Sequence, residues 1–212
     1  GDKMNKKKLT LVICAVVLFL ILAFAIKADY LYGFESWVYN EATEHMSDAL
    51  TKVLIVITNI GGPIGIMCIC GIIFAIPKLR NRIAIPVSVT ITISFLLNIL
   101  LKKIFARERP DILRLVSESF YSFPSGHAMI NMALYSILIF YAYNLVKSKK
   151  LRCLIYLVLT SLVLLIGFTR IYLGVHYAGD ILGGWLMGLV VSIITYAVLK
   201  KPTITEYGKK EK

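Results

Sequence analysis

FPSGHAMINMALYSILIFYAYNLV (residues 123–146) places a proline, a serine, a glycine and a histidine at the mouth of an apolar run, Ala128–Val146, that carries no charge. About 20 apolar residues cross a bilayer as a helix, so the polar group stands where such a span begins. Five other runs have the same character: Leu9–Ile26, Val53–Ile76, Ile83–Leu101, Cys153–Phe168 and Ile181–Leu199. The six are each about 16 to 24 residues long and nearly free of charge. They predict an all-α integral membrane bundle of six transmembrane helices. The Cys153–Phe168 run is short unless Thr169–Leu173 extend it.

Composition agrees. The chain is 58% apolar and 17% charged, which leaves too little polar surface for a soluble domain of 212 residues. No linker or repeat divides it, so residues 1–212 read as one domain with a cytoplasmic tail over 202–212. Gly1-Asp2-Lys3 ahead of Met4 reads as a cloning remnant. The first run resembles a signal peptide after Lys6-Lys7-Lys8, but no clear small-residue cleavage site follows, and it is read as a retained span.

The net charge of +12 raises nucleic acid as a partner, and its distribution argues against that. Lys and Arg cluster at 6–8, 78–82, 147–152 and 200–201, before the first span and after the second, fourth and sixth. The positive-inside rule puts these loops and both termini in the cytoplasm. The loop 102–124, on the opposite side, breaks the pattern with Lys102, Lys103, Arg107, Arg109 and Arg114. Loop 27–48 concentrates Tyr30, Tyr32, Phe34, Trp37 and Tyr39, which read either as an aromatic belt or as a short interfacial helix that helps a lipid enter. His45 in that loop reads as a solvated interface residue. Asn59, Gly61, Gly62 and Pro63 interrupt the second span and predict a kink that serves packing. Cys14, Cys68, Cys70 and Cys153 lie in or beside apolar runs, read as buried thiols, and form no disulfide framework.

Three stretches at span ends on the same predicted side carry chemistry. "KKIFARERP" (102–110) holds Lys102 and Arg109, "PSGH" (124–127) follows, and "TRIYLGVHYAGD" (169–180) holds Arg170, His176 and Asp180. Arginine forks match phosphate oxygens. A helix starting at Ser125-Gly126 offers unpaired N–H groups and the positive end of a dipole. His176 and Asp180, four apart, share a face if helical, and the carboxylate then fixes the ring tautomer. His127 beside the anion site suits a proton donor. Alone, each stretch has a bland reading, "PSGH" as a polar cap and His176/Asp180 as a structural pair. Together they concentrate costly ionisable groups at the membrane edge, which marks a site.

The three stretches resemble the signature of the type 2 phosphatidic acid phosphatase family, K-x6-R-P, P-S-G-H and S-R-x5-H-x3-D, from Lys102 to Asp180, with Thr169 in place of the family's usual serine. The resemblance implies a metal-independent lipid phosphatase without cofactor, working through a phosphohistidine. It implies His176 as nucleophile, Asp180 orienting it, His127 as acid, and Lys102, Arg109, Ser125, Gly126 and Arg170 holding phosphate. No acidic cluster in the sequence suggests a magnesium cage. The short chain with "PSGH" is most similar to bacterial phosphatidylglycerophosphate phosphatases of the B type, which ranks phosphatidylglycerophosphate ahead of undecaprenyl diphosphate and phosphatidic acid. The expected setting is the cell membrane, with the site on the outer face and membrane lipids as neighbours. A phosphotransferase using the same phosphohistidine and a non-enzymatic lipid-phosphate binder are the alternatives; the histidine–aspartate arrangement argues against the second.

Overall fold

The computed structural model describes residues 5–111 and 114–199; the predicted remnant 1–3 and tail 202–212 lie outside them. The described residues form nine α-helices in order: α1 Lys6–Lys27, α2 Tyr32–Thr43, α3 Asp48–Ile60, α4 Pro63–Ala75, α5 Pro77–Leu79, α6 Ile85–Phe105, α7 Gly126–Leu145, α8 Lys149–Tyr172 and α9 Ala178–Leu199. A π-helical turn, Arg80–Ala84, joins α5 to α6. Pro77–Phe105, α1, α7, α8 and α9 are each long and apolar enough to cross a membrane, and the pair α3–α4 qualifies as a sixth, bent by 49°. The protein is a multi-pass membrane protein, and its described residues form helices and connecting loops with no strand among them.

The helix ends follow local chemistry. Asn5, Ser47, Ser125 and Ser148 each cap a helix N-terminus with a side-chain oxygen that accepts a backbone N–H. Pro63 begins α4 at a position where a missing N–H costs nothing. α8 extends past Phe168 to Tyr172, so the fifth span has the length the sequence left open.

α7 and α9 form the centre, with α1 against α9 and with α6 and α8 against α7. Met129, Leu134 and Ile137 of α7 are fully buried. Small residues on α9 allow the close approach: a Cβ at Gly184 would lie 2.8 Å from the carbonyl of Ser125, the N-cap of α7. Polar residues on α6 turn inward, and Thr90 Oγ1 meets Thr195 Oγ1 of α9 at 2.7 Å. Large apolar side chains on the outer faces of α1 and α8, such as Leu20, Ile21 and Leu157, stand exposed where lipid tails would cover them. Cys14, Cys68 and Cys153 are exposed and Cys70 is half-buried. The thiols are thus not core residues; an apolar run that faces lipid looks, in composition, like one that faces protein.

The basic clusters 6–8, 78–82 and 147–152 gather at one end; the cluster 200–201 lies outside the described residues. Lys8 lies over the Tyr196 ring near the end of α9, and Arg152 lies over Tyr143 near the end of α7. The ends of α6 and α8 and the starts of α7 and α9 form the other end. There α3 begins, with Thr51 Oγ1 2.9 Å from the Tyr172 hydroxyl, and α4 leads back to Pro77 at the basic end. The bent pair therefore runs the length of the bundle.

Candidate active site

α8 ends in a turn that explains the spacing from Arg170 to His176. Gly174 adopts φ 70°, a left-handed conformation that suits glycine. Its N–H donates to the Ile171 carbonyl and that of Val175 to the Arg170 carbonyl, the paired bonds of a Schellman cap. The chain reverses, and the His176 N–H also reaches the Arg170 carbonyl at 3.3 Å. His176 thus lies in the loop before α9 rather than on a helix, correcting the shared-face expectation. Asp180, in the first turn of α9, reaches back instead: its Oδ2 accepts the Tyr177 N–H at 2.9 Å and lies 3.3 Å from His176 Nδ1.

This contact assigns the tautomer. Nδ1 faces a carboxylate and so carries the proton, while Nε2 accepts from Arg109 at 3.2 Å and so holds the lone pair. Burial pushes the His176 pKa down to about 3; the bond to Asp180 and its charge oppose this, and the charges of Arg109 and Lys102 add to it. The ring is neutral across the physiological range.

His176 lines a cavity of about 440 Å³ with His127, Gly126, Lys102, Lys103 and Arg109 among its walls. The "PSGH" loop docks on α9 through the Ser125 N–H, which donates to the Asp180 carbonyl at 3.0 Å. Asn98 of α6 donates to the Pro124 carbonyl at 3.1 Å. Ser125 itself is fully buried, with its hydroxyl turned to the Ala128 N–H, so Gly126 and His127 are the residues of this loop that face the cavity. Arg109 is held by the Phe120 and Val175 carbonyls, both at 2.8 Å. Lys102 binds the Tyr121 and Ser122 carbonyls and also lines the cavity.

Arg170 is set deeper. It donates to Thr58 Oγ1 at 2.8 Å and pairs with Glu118, whose other carboxylate oxygen is 3.7 Å from Arg109. Its Nε has no hydrogen-bond partner among the described residues. The break between α3 and α4 serves this arrangement as well as packing. It presents Thr58 to Arg170 and the Gly61 carbonyl to Asn131, one turn along α7 from His127. Among the described residues no cluster of His, Cys, Asp and Glu could hold a metal ion.

A family model described as the PAP2 superfamily matches residues 83–204. The chain belongs to the PAP2 superfamily. It is 33% identical over 182 residues to phosphatidylglycerophosphatase B of Bacillus subtilis, covering 82% of this chain and 87% of that protein. It is 24% identical over 198 residues to an undecaprenyl-diphosphatase of Sulfolobus acidocaldarius, covering 86% and 88%. Among solved structures, the transmembrane PAP2-type phosphatidylglycerolphosphate phosphatase of Bacillus subtilis superposes with a TM-score of 0.79 at 28% identity, over 95% of this chain and 97% of that one. Aquifex aeolicus LpxE shares the fold, with a TM-score of 0.63 at 23% identity over 75% and 92%. The protein is thus a membrane lipid phosphatase of the PAP2 superfamily.

The fold brings together all eight residues singled out by sequence, although Ser125, Arg170 and Asp180 lie behind the cavity wall rather than in it. Four others escaped notice. Arg107 appeared only as one basic residue of a loop. Glu118, Ser122 and Glu35 carried no motif. Ser122 Oγ donates to Asp180 Oδ2 at 2.5 Å and stands 3.2 Å from His176 Nδ1. Glu35, on α2, is buried against Arg107. A buried acid in a stretch otherwise rich in exposed aromatics was the one signal, and burial is not visible in sequence.

Proposed function

We propose that this enzyme removes a terminal phosphate from a membrane lipid through a phosphohistidine on His176. The observation that carries this reading is the opposed environment of the two ring nitrogens, one turned to Asp180 and the other toward the basic cavity. His176 Nε2 attacks phosphorus, and the P–O bond to the lipid breaks. Arg109, Lys102 and Arg170 hold the remaining oxygens as charge redistributes, together with the helix start at Ser125 and Gly126. His127 protonates the departing oxygen. Water then cleaves the P–N bond, with His127 taking its proton, and releases phosphate. The cationic side chains supply the electrostatic work, so the reaction needs no divalent ion.

The preferred substrate is phosphatidylglycerophosphate, with undecaprenyl diphosphate second and phosphatidic acid third. The relatives named for the first two chemistries support this order, the first being the more similar in sequence. The cavity end of the bundle faces outward in the cell membrane and both termini face the cytoplasm, in keeping with the basic clusters at the opposite end. The test is phosphate release from these three lipids, carrying radiolabelled phosphate, in detergent, with samples quenched in alkaline SDS and probed for base-stable, acid-labile phosphoprotein. Fastest release from phosphatidylglycerophosphate, with label lost in His176→Ala, is expected. Release without any phosphoprotein would overturn the mechanism, and a different substrate order would overturn the preference.

A further inference from the structure

Asp180 is gripped from two sides. Its Oδ2 serves His176, Ser122 and the Tyr177 N–H, while its Oδ1 accepts from Arg107 Nη1 at 2.7 Å. The same guanidinium forks onto Glu35, Nη1 to Oε1 at 3.1 Å and Nη2 to Oε2 at 2.6 Å. Glu35 comes from α2, far away in sequence, and its Oε1 also accepts the Gly179 N–H of α9 at 3.2 Å. The Tyr177 ring stacks on Arg107, its centroid 4.1 Å from the guanidinium carbon. Glu35 has a side-chain exposure of 4% and Asp180 of 0%. Two buried carboxylates that share one arginine are expensive to assemble unless each is fully bonded, and both are.

We infer that Arg107 and Glu35 are positioning residues for the phosphatase reaction, extending the His176–Asp180 pair into a four-residue chain His176–Asp180–Arg107–Glu35 anchored on the outer helix α2. Arg107 holds Asp180 in the rotamer that points Oδ2 at the imidazole. Glu35 holds Arg107 and balances its charge, so that Asp180 remains an effective partner for the imidazolium-like ring that develops on attack. The chain also ties α2 to the chemistry: a helix outside the spans sets the geometry of the nucleophile. This inference rests on the phosphohistidine reading.

The rival explanation is an ion pair that merely pins α2 to the bundle, and electrostatics separates the two. His176 is faced by Asp180 from α9, Lys102 from α6, His127 from α7 and Arg109 from the loop after α6. Removing the Arg107 charge leaves Asp180 and Glu35 less compensated, which favours a protonated His176 and moves the acid limb of kcat/KM to higher pH. Removing the Glu35 charge as well returns the limb toward that of the native enzyme.

The experiment measures dioleoyl phosphatidic acid hydrolysis in detergent for Arg107→Met, Glu35→Gln and the double variant, with inhibition by inorganic phosphate alongside. Arg107→Met should lose about 10²-fold in kcat, the scale of a misplaced reacting group, with KM and phosphate inhibition unchanged and the acid limb raised. The double variant should keep the kcat loss and reverse the limb shift. Native kcat in both variants carrying Arg107→Met would overturn the inference. So would a weakened phosphate inhibition with an unmoved limb, which would make Arg107 a phosphate ligand. Should Arg107→Met fail to fold, the double variant decides, and its failure to fold too would make the pair a structural anchor only. His176→Ala is run in parallel: turnover there would sink the phosphohistidine reading itself, whatever Arg107 does.

Discussion

Arg109 donates to His176 Nε2 at 3.2 Å, so the lone pair needed for attack is engaged by a cation of the phosphate cradle. Phosphate that draws the Arg109 fork onto its own oxygens uncovers the nucleophile in the same movement. Arg109 also helps keep the ring neutral. Arg109→Gln should therefore raise the His176 pKa and shift the acid limb of kcat/KM upward, while cutting kcat/KM by roughly 10²-fold. Arg109→Lys keeps the charge and loses the fork, so it should lower kcat/KM with the limb unmoved. A pH profile of both variants checks this, and identical limbs would show that Arg109 does not tune the ring.

Glu118 offers a second handle. Its carboxylate pairs with Arg170 and approaches Arg109, so a phosphate that uses both arginines competes with it. Glu118→Gln should lower KM and the inhibition constant of inorganic phosphate by about fivefold, equivalent to ~1 kcal/mol for a partly exposed pair that need not be broken. A raised KM would mean that Glu118 holds the cradle in its working shape.

The two histidines should separate by leaving group. His176→Ala removes the nucleophile and should abolish turnover on every substrate. His127→Ala removes the proposed acid and should cost roughly 10²–10⁴-fold on a lipid phosphate. That cost should shrink on p-nitrophenyl phosphate, whose leaving group needs little protonation. Equal losses on both substrates would remove His127 from the acid role.

Activity should survive chelation, and vanadate should inhibit by occupying the cradle and bonding to His176. Assays in excess chelator check the first, and loss of activity restored by magnesium would refute a cradle made of side chains alone.

Cysteines at Ser117 and Lys147, both exposed and near opposite ends of the bundle, should label from opposite sides of the membrane with an impermeant reagent in a background lacking the four native cysteines. Lys147 is chosen over Ser148 because the latter caps α8 through a bond to Leu151 N–H. Labelling of both from one side would reject the proposed orientation.

The six spans, the single bundle and the three motif stretches were legible in the sequence by itself. Long uncharged runs have one favourable fate in a bilayer, and the motif residues lie at the ends of those runs, where local rules still apply. The spacing from Arg170 to His176 is of this kind, because Gly174 turns the chain within a few residues of the helix end. What only the tertiary structure decided is who faces whom. Glu35 meets Arg107 across 72 residues, Thr58 meets Arg170 across 112, and Ser122 meets Asp180 across 58. None of these pairs has a periodicity or a spacing to announce it. Each exists because elements distant in sequence pack side by side: α3 against α8 brings Thr58 to Arg170, α2 against α8 and α9 sets Glu35 beside Arg107, and the loop before α7 lies over the start of α9, where Ser122 meets Asp180.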